Sequence, residues 1–337
     1  MTAALDTYAE LRLAEGKLLR WGERAAKAAC ALQPRDLEIL VALARYRFLT
    51  TGQIAELWWE GRGLRAVRRR MTRLFEAGFV ERFRPQTLRG SYQWTYCLAR
   101  DGFRAAQQTG ELPPRLKFAP RREAIFDYRY VIHDLRVNEW VLRYRELLGD
   151  RLLDWAGPDE SLIEPPRRRD GGDLGDADHN VYGIDDDAVR PVQPDALLRV
   201  TGTHDDLALF VEYDRTRRVD KNYDKFRRYE ALLAGWWKHA LPAETQRPAV
   251  VFICQDDEHR ERFLAAADWQ LTAHQTRWAD LNPEREYPVR DRFVFALERD
   301  IHDGRAKAVR LPRQPPAVAN RDNRVRSLRL PAGPSEC

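Results

Sequence analysis

Three acidic side chains in the second half of the chain occupy positions where carboxylates can converge. Asp195 follows Pro194 at the mouth of a short apolar stretch, Ala196 to Val200. Glu212 lies at the end of the next one, Leu207 to Tyr213, and Asp214 follows two residues later. On a strand, that spacing puts Glu212 and Asp214 on the same side. If the two stretches pair as a hairpin, its ends bring Asp195 beside Glu212. Glu139 stands apart, on a helical stripe with Ile132, Leu135 and Leu142. A carboxylate inside an apolar stripe is costly unless it has a partner or a cation. Two or three convergent carboxylates suit Mg²⁺, or Mn²⁺ in its place, with Asp195 and Glu212 as the candidate ligands. Such an ion could activate water and stabilise a charged phosphate transition state. Lys221 and Lys225 lie one helical turn apart just after the second stretch and would complete the set. Taken singly, each acid is better explained as a cap or an arginine partner; taken as an ordered set, they point to a site.

A second constellation is cationic. Leu64, Val67, Met71, Leu74 and Phe75 fall at helical spacing and form one stripe. Arg65, Arg68, Arg69, Thr72 and Arg73 lie off that stripe. A helix held by its apolar face would present these side chains to the major groove of a duplex. There arginine grips phosphates and reads guanine through paired hydrogen bonds. Arg84 and Arg89, at the polar turn around Pro85 to Ser91, would meet the flanking backbone or minor groove. The competing reading is a solvated basic helix in a protein-interaction module.

The elements that must position these residues follow from periodicity. Residues 1–33, rich in Ala, Leu, Glu and Lys, read as a helical packing or dimerisation arm. Asp36 to Tyr46 is predicted to be a helix entered through Pro34, and Thr50 caps a second that runs to Trp58. The arginine helix runs from Leu64 to Ala77 and stops at Gly78. Two aromatic, β-branched stretches, 79–83 and 92–98, follow as a hairpin, then a helix at 101–108. That order over residues 34–112 is the winged helix-turn-helix order. A Pro- and Arg-rich link leads to a long helix, about 124–148. Residues 157–193, rich in Gly, Asp and Pro, read as an acidic insert. Strands at 196–200, 207–213, 249–254 and 292–297 alternate with helices at about 221–239 and 258–274, giving an α/β domain over 124–300. The basic tail, 312–337, is predicted to be disordered. The whole is α+β.

Bulk properties agree with a polyanionic partner. The 337 residues carry a net charge of +5, with 32% charged residues. Lys and Arg well outnumber Asp and Glu between residues 35 and 122, and the excess reverses across the insert. Four scattered cysteines form no CxxC pair, which suits free thiols in a reducing cytoplasm. No secretory signal or membrane-spanning run is visible, so the expected location is cytoplasmic with no membrane partner.

Four motifs now have a familiar order: His133 to Glu139, Pro194-Asp195, Val211 to Thr216, and Lys225 to Tyr229. Together with the basic helix, they resemble the replication-relaxation family of plasmid and mobile-element proteins. The resemblance implies a restriction-endonuclease-like, PD-(D/E)xK nuclease fold for the second half. Asp195 and Glu212 would be its two acids, and Glu139 would match an acid carried on the first helix of such folds. The lysine of the signature is replaced by Asp214, and Lys225, or Lys221, would supply it from the neighbouring helix. The implied partners are double-stranded DNA, replication or transfer proteins, and a second copy of the chain. Two functions stay open: a DNA-binding protein with a metal-dependent endonuclease domain, or a non-catalytic accessory or transcription regulator that keeps that domain for assembly.

Overall fold

The computed structural model describes residues 19–59, 63–85, 93–125, 129–165, 190–202, 206–214, 223–273, 289–313 and 326–330. The fold is mixed α+β with two sheets, and the chain divides into two compact units, Met1–Glu139 and Trp140–Cys337. Among the described residues, no helix is long and apolar enough to cross a membrane.

Unit 1 runs β1 (Leu19–Trp21), α1 (Pro34–Tyr46), β2 (Leu49–Thr50), α2 (Thr51–Trp58), α3 (Leu64–Glu76), β3 (Val80–Pro85), β4 (Thr95–Leu98) and α4 (Arg100–Gln108). A short turn of helix, α5 (Arg121–Ala124), and the first part of α6 (Arg129–Leu148) complete it. Its antiparallel sheet has the order β1-β3-β4-β2. Local chemistry accounts for the helix starts. Pro34 opens α1 at a position where a missing N–H is harmless. Thr50 and Gln53 form a reciprocal capping box at α2. Gly78 ends α3 at φ +83°, a conformation that favours glycine.

Residues 19–33 differ from the predicted helical arm. Leu19–Trp21 is a strand, with Arg20 opposite Arg84 and Trp21 opposite Phe83. Helix propensity is a weak prior that tertiary contacts override. Here Leu19 and Trp21 pack on a core of Phe48, Phe83, Ile132 and Leu135. Arg24 then fixes the segment to the end of α3, donating to the Phe75 carbonyl at 2.6 Å. Residues 1–18 lie outside the described residues.

Unit 2 holds the rest of α6, β5 (Leu152–Ala156), β6 (Ala196–Thr201), β7 (Asp206–Tyr213), α7 (Tyr223–Ala231), α8 (Trp237–Ala240), β8 (Ala249–Cys254), α9 (Asp257–Ala273), β9 (Phe293–Leu297), α10 (Glu298–His302), β10 (Lys307–Arg310) and β11 (Arg326–Arg329). The sheet order is β11-β10-β9-β8-β7-β6-β5. Strands β7, β8 and β9 are parallel, and the flanking pairs are antiparallel. Phe226 of α7, Leu233 just after it, and Phe263 and Ala267 of α9 pack with Phe210, Phe252 and Phe295 from the sheet. The strands are apolar on both faces, as parallel strands buried on both sides must be.

Two further predictions need correction. The tail is ordered at Arg326–Arg329, where it pairs with β10; backbone hydrogen bonding to an available edge outweighs its polar composition. The helix after β7 is interrupted by a π-helical turn, Leu232–Trp236, between α7 and α8. The ends of the insert are tied together by an Ile163–Val192 bridge, while its middle, 166–189, lies outside the described residues.

Candidate functional site

The β6–β7 hairpin sets the carboxylate geometry. Ala196 stands opposite Val211, and the Asp195 N–H donates to the Val211 carbonyl at 2.9 Å. Asp195 Oδ2 in turn accepts from the Tyr213 N–H at 2.8 Å. Asp195 is therefore tied to the backbone on both sides of Glu212. Glu212 is 2% exposed and shares a sheet face with Phe210, on the side covered by α7. Two residues one turn apart on α7 meet it. Lys225 Nζ donates to Glu212 Oε2, and the Tyr229 hydroxyl donates to Oε1 at 2.5 Å. The helix is held in that position by aromatic contacts, Phe226 on Phe252 at 5.0 Å and Tyr229 on Phe210 at 5.7 Å.

The electrostatics follow from burial. Desolvation pushes the Glu212 carboxyl up to about 6, with Asp195 adding to the rise and Lys225 and Tyr229 opposing it. Burial alone would lower the Lys225 ammonium, but Glu212, Asp195 and Asp214 outweigh it and hold its pKa above the usual lysine value. The Tyr229 phenol is raised by burial and by Glu212, so it stays a hydrogen-bond donor. The charge of Asp214 also favours the ammonium form of Lys225. Lys221 lies outside the described residues.

Asp195, Glu212, Lys225 and the charge of Asp214 come together in unit 2. Glu139 belongs to unit 1, where it accepts a long hydrogen bond, 3.4 Å, from Gln53 Nε2. The motif around it has a local structural role. Asn138 Nδ2 donates to the Tyr46 and Phe48 carbonyls at 2.9 and 2.6 Å, and Asp134 pairs with Arg47 at 3.4 Å. Arg47 has φ +62° and sits in a γ-turn closed by Phe48 N–H on Tyr46 O. The His133 to Asn138 run thus secures the strained link between α1 and β2.

Among the described residues, no group of three or more His, Cys, Asp or Glu side chains could hold a metal. A Mg²⁺ ion that keeps most of its waters needs only one or two carboxylates. Asp195 and Glu212 match that donor set, because an ionised carboxylate has lone pairs left after accepting two hydrogen bonds.

In unit 1, Val67, Met71, Leu74 and Phe75 of α3 are fully buried. Leu64, assigned to the same stripe, is instead 44% exposed, because it heads the first turn beyond the packed core. Arg65, Arg68, Arg69 and Arg73 are exposed, and none forms an ion pair with a described residue. Arg70, between them, turns inward and bonds Asp36 through Nε at 2.8 Å and through Nη2. Thr72 accepts from Arg82 Nη1 at 3.1 Å. The Arg82 guanidinium lies over Phe75 and Trp94, and that of Arg84 over Trp94 at 4.8 Å. Arg89 lies outside the described residues. Arg20, exposed on β1 opposite Arg84, is a cation that periodicity missed because its strand exists only through pairing with β3.

Among curated proteins, none matches this chain. Among solved structures, the restriction endonuclease FokI bound to DNA is similar at 12% identity, over 73% of this chain and 46% of that one, with a TM-score of 0.21. The chain spans less than half of that structure's length. The replication-relaxation family matches residues 40–242, a stretch that includes both the arginine helix and the Glu212–Lys225 pair. With more than half of its length matched, the chain belongs to the replication-relaxation family.

Proposed function

We propose that the chain is a double-stranded DNA-binding protein of plasmid or mobile-element replication or transfer. On this reading unit 1 is a winged helix-turn-helix and unit 2 a metal-dependent nuclease of the restriction-endonuclease-like type. Unit 1 would place α3 in the major groove, with Arg65, Arg68, Arg69 and Arg73 on phosphates and base edges. Arg84, braced on Trp94, and Arg20 would contact the flanking backbone.

The observation that carries the nuclease reading is the approach of Lys225 to Glu212 beside Asp195. A Mg²⁺ or Mn²⁺ ion held by Asp195 and Glu212 would supply an activated water and neutralise charge on the phosphate. Lys225, kept as an ammonium, is suited to stabilise developing negative charge and unsuited to act as a base. Tyr229 fixes the rotamer of Glu212. In the reaction, a water oxygen bonds to phosphorus, one P–O ester bond breaks, and the leaving oxygen takes up a proton.

Purified protein is expected to nick or cleave plasmid DNA only with Mg²⁺ or Mn²⁺, and Asp195→Ala or Glu212→Ala to abolish this. One observation favours a second reading, a non-catalytic accessory or regulator: both Glu212 oxygens already have partners. Absence of metal-dependent cleavage on supercoiled, linear and single-stranded DNA would decide for it.

A further inference from the structure

At the end of the unit 2 sheet remote from Glu212, four arginines gather, two of them beside Asp291. Arg247 precedes β8, Arg292 precedes β9, Arg310 ends β10, and Arg313 follows it. The register places them together. Val250 pairs with Phe293 and Val294 with Arg310, so the starts of β8 and β9 and the finish of β10 share one end of the sheet. Glu212 pairs with Phe252, toward the other end of the same strands.

Asp291 is the carboxylate at this cluster. Its Oδ2 accepts from Arg313 Nε at 2.7 Å, and Arg292 Nε lies 3.8 Å from its Oδ1. Asp291 supplies a single negative charge against these four guanidiniums. Burial, followed by Arg247, Arg313 and Arg310, depresses the pKa of Arg292 despite the opposing effect of Asp291. Among the described residues, Arg247 Nε is buried without a hydrogen-bond partner. Like charges held this closely are unfavourable in isolation and are relieved by an anion.

We infer that Arg247, Arg292, Arg310 and Arg313 form a second nucleic-acid contact in unit 2, a cradle for the phosphodiester backbone. The spacing suits that ligand. Three neighbouring strands about 4.8 Å apart spread the cations over roughly 10 Å. That is the axial length of about three phosphates on one strand. Guanidinium forks bond phosphate oxygens in pairs, and the groups here are partly exposed rather than sealed in the core. Phosphate contacts carry no sequence information, so such a cradle would bind without regard to sequence.

The inference stands independently of the α3 reading, and the test separates the two. Full-length protein is titrated with a fluorescein-labelled 30-base-pair duplex at several salt concentrations without divalent metal. The triple variant Arg247→Ala/Arg310→Ala/Arg313→Ala is expected to weaken binding at least tenfold. It should also flatten the slope of log K against log salt by about 2 to 3. Asp291→Asn, which keeps the shape and removes the acid, is expected to shift affinity the opposite way, by several fold. Both are repeated with Arg65, Arg68, Arg69 and Arg73 changed to Ala. If the triple variant changes neither affinity nor slope in either background while circular dichroism shows a native fold, the cradle is wrong. If α3 proves silent and the triple variant does not, only the groove-reading proposal falls.

Discussion

At the residue scale, the balance at Glu212 is the quantity most open to measurement. A metal ion and a proton compete for the same carboxylate, and burial has shifted that competition toward the proton. With its pKa raised to about 6, Glu212 is protonated below that value and ionised above it. Mn²⁺ affinity is therefore expected to fall about tenfold per pH unit below about 6, and to be flat above it. Tyr229→Phe removes a hydrogen bond that favours the ionised form, so the midpoint should move up. Lys225→Met should move it further, because it removes the neighbouring positive charge as well. Calorimetric Mn²⁺ titrations from pH 5 to 8 check the order wild type, Tyr229→Phe, Lys225→Met. An unmoved midpoint in Lys225→Met would detach the lysine from the metal chemistry. The proximity of Asp195, Glu212 and Lys225 was legible from two short strands, a turn and a helix in sequence. Tyr229 was not, because a tyrosine at helical spacing from a lysine reads as core. Only the depth of Glu212, which seals its second oxygen, gives that hydroxyl a role.

At the scale of elements, α3 shows adjacent arginines with opposite duties. Arg69 is exposed, whereas Arg70 holds buried Asp36, which also accepts from the Gln33 N–H at 2.7 Å at the start of α1. Removing one partner of a buried pair leaves the other uncompensated, at about 3 kcal/mol. Arg70→Ala is thus expected to lower stability by about that amount in urea unfolding. Arg69→Ala should stay within about 0.5 kcal/mol and lose DNA affinity instead. Equal stability loss in both would mean that α3 is docked differently. Helical spacing sets Arg69 opposite the apolar stripe and Arg70 at its border, but only tertiary contact with Asp36 shows that Arg70 is paired. Gly102 makes a similar point for α4. A Cβ there would run into the Phe79 carbonyl oxygen, a backbone atom that cannot give way without moving the helix. Gly102→Ala is expected to destabilise unit 1 by about 3 kcal/mol in the same assay. Helices α1 to α4 were legible because capping and amphipathic spacing are local signals. Strands β1, β5, β10 and β11 were not. They are three to five residues long and owe their existence to a partner distant in sequence.

For the whole molecule, a net charge of +5 is too small to hold a duplex by itself, so binding depends on where the cations gather. The charge reversal between the arginine-rich first part and the later acids is plain in the sequence. What the sequence concealed is that unit 2 carries an acidic end and a basic end on one sheet, because the basic end is assembled from three strands and a tail read as disordered. This division predicts a double dissociation. Asp195→Asn/Glu212→Gln removes two negative charges from the proposed reaction centre. It should abolish cleavage while leaving metal-free DNA affinity unchanged or higher, since phosphate no longer meets two carboxylates. Changing Arg65, Arg68, Arg69 and Arg73 to Ala should do the reverse. Affinity should drop and the salt slope flatten by about 3 to 4, from the loss of as many phosphate contacts. Metal-dependent cleavage should then persist at low salt with DNA in excess, where binding is restored by mass action. Gel-based cleavage and anisotropy on the same protein preparations read both arms. If the carboxylate variant lost affinity as well as cleavage, those acids would be supporting the fold, and the division of labour between charge clusters would have to be abandoned.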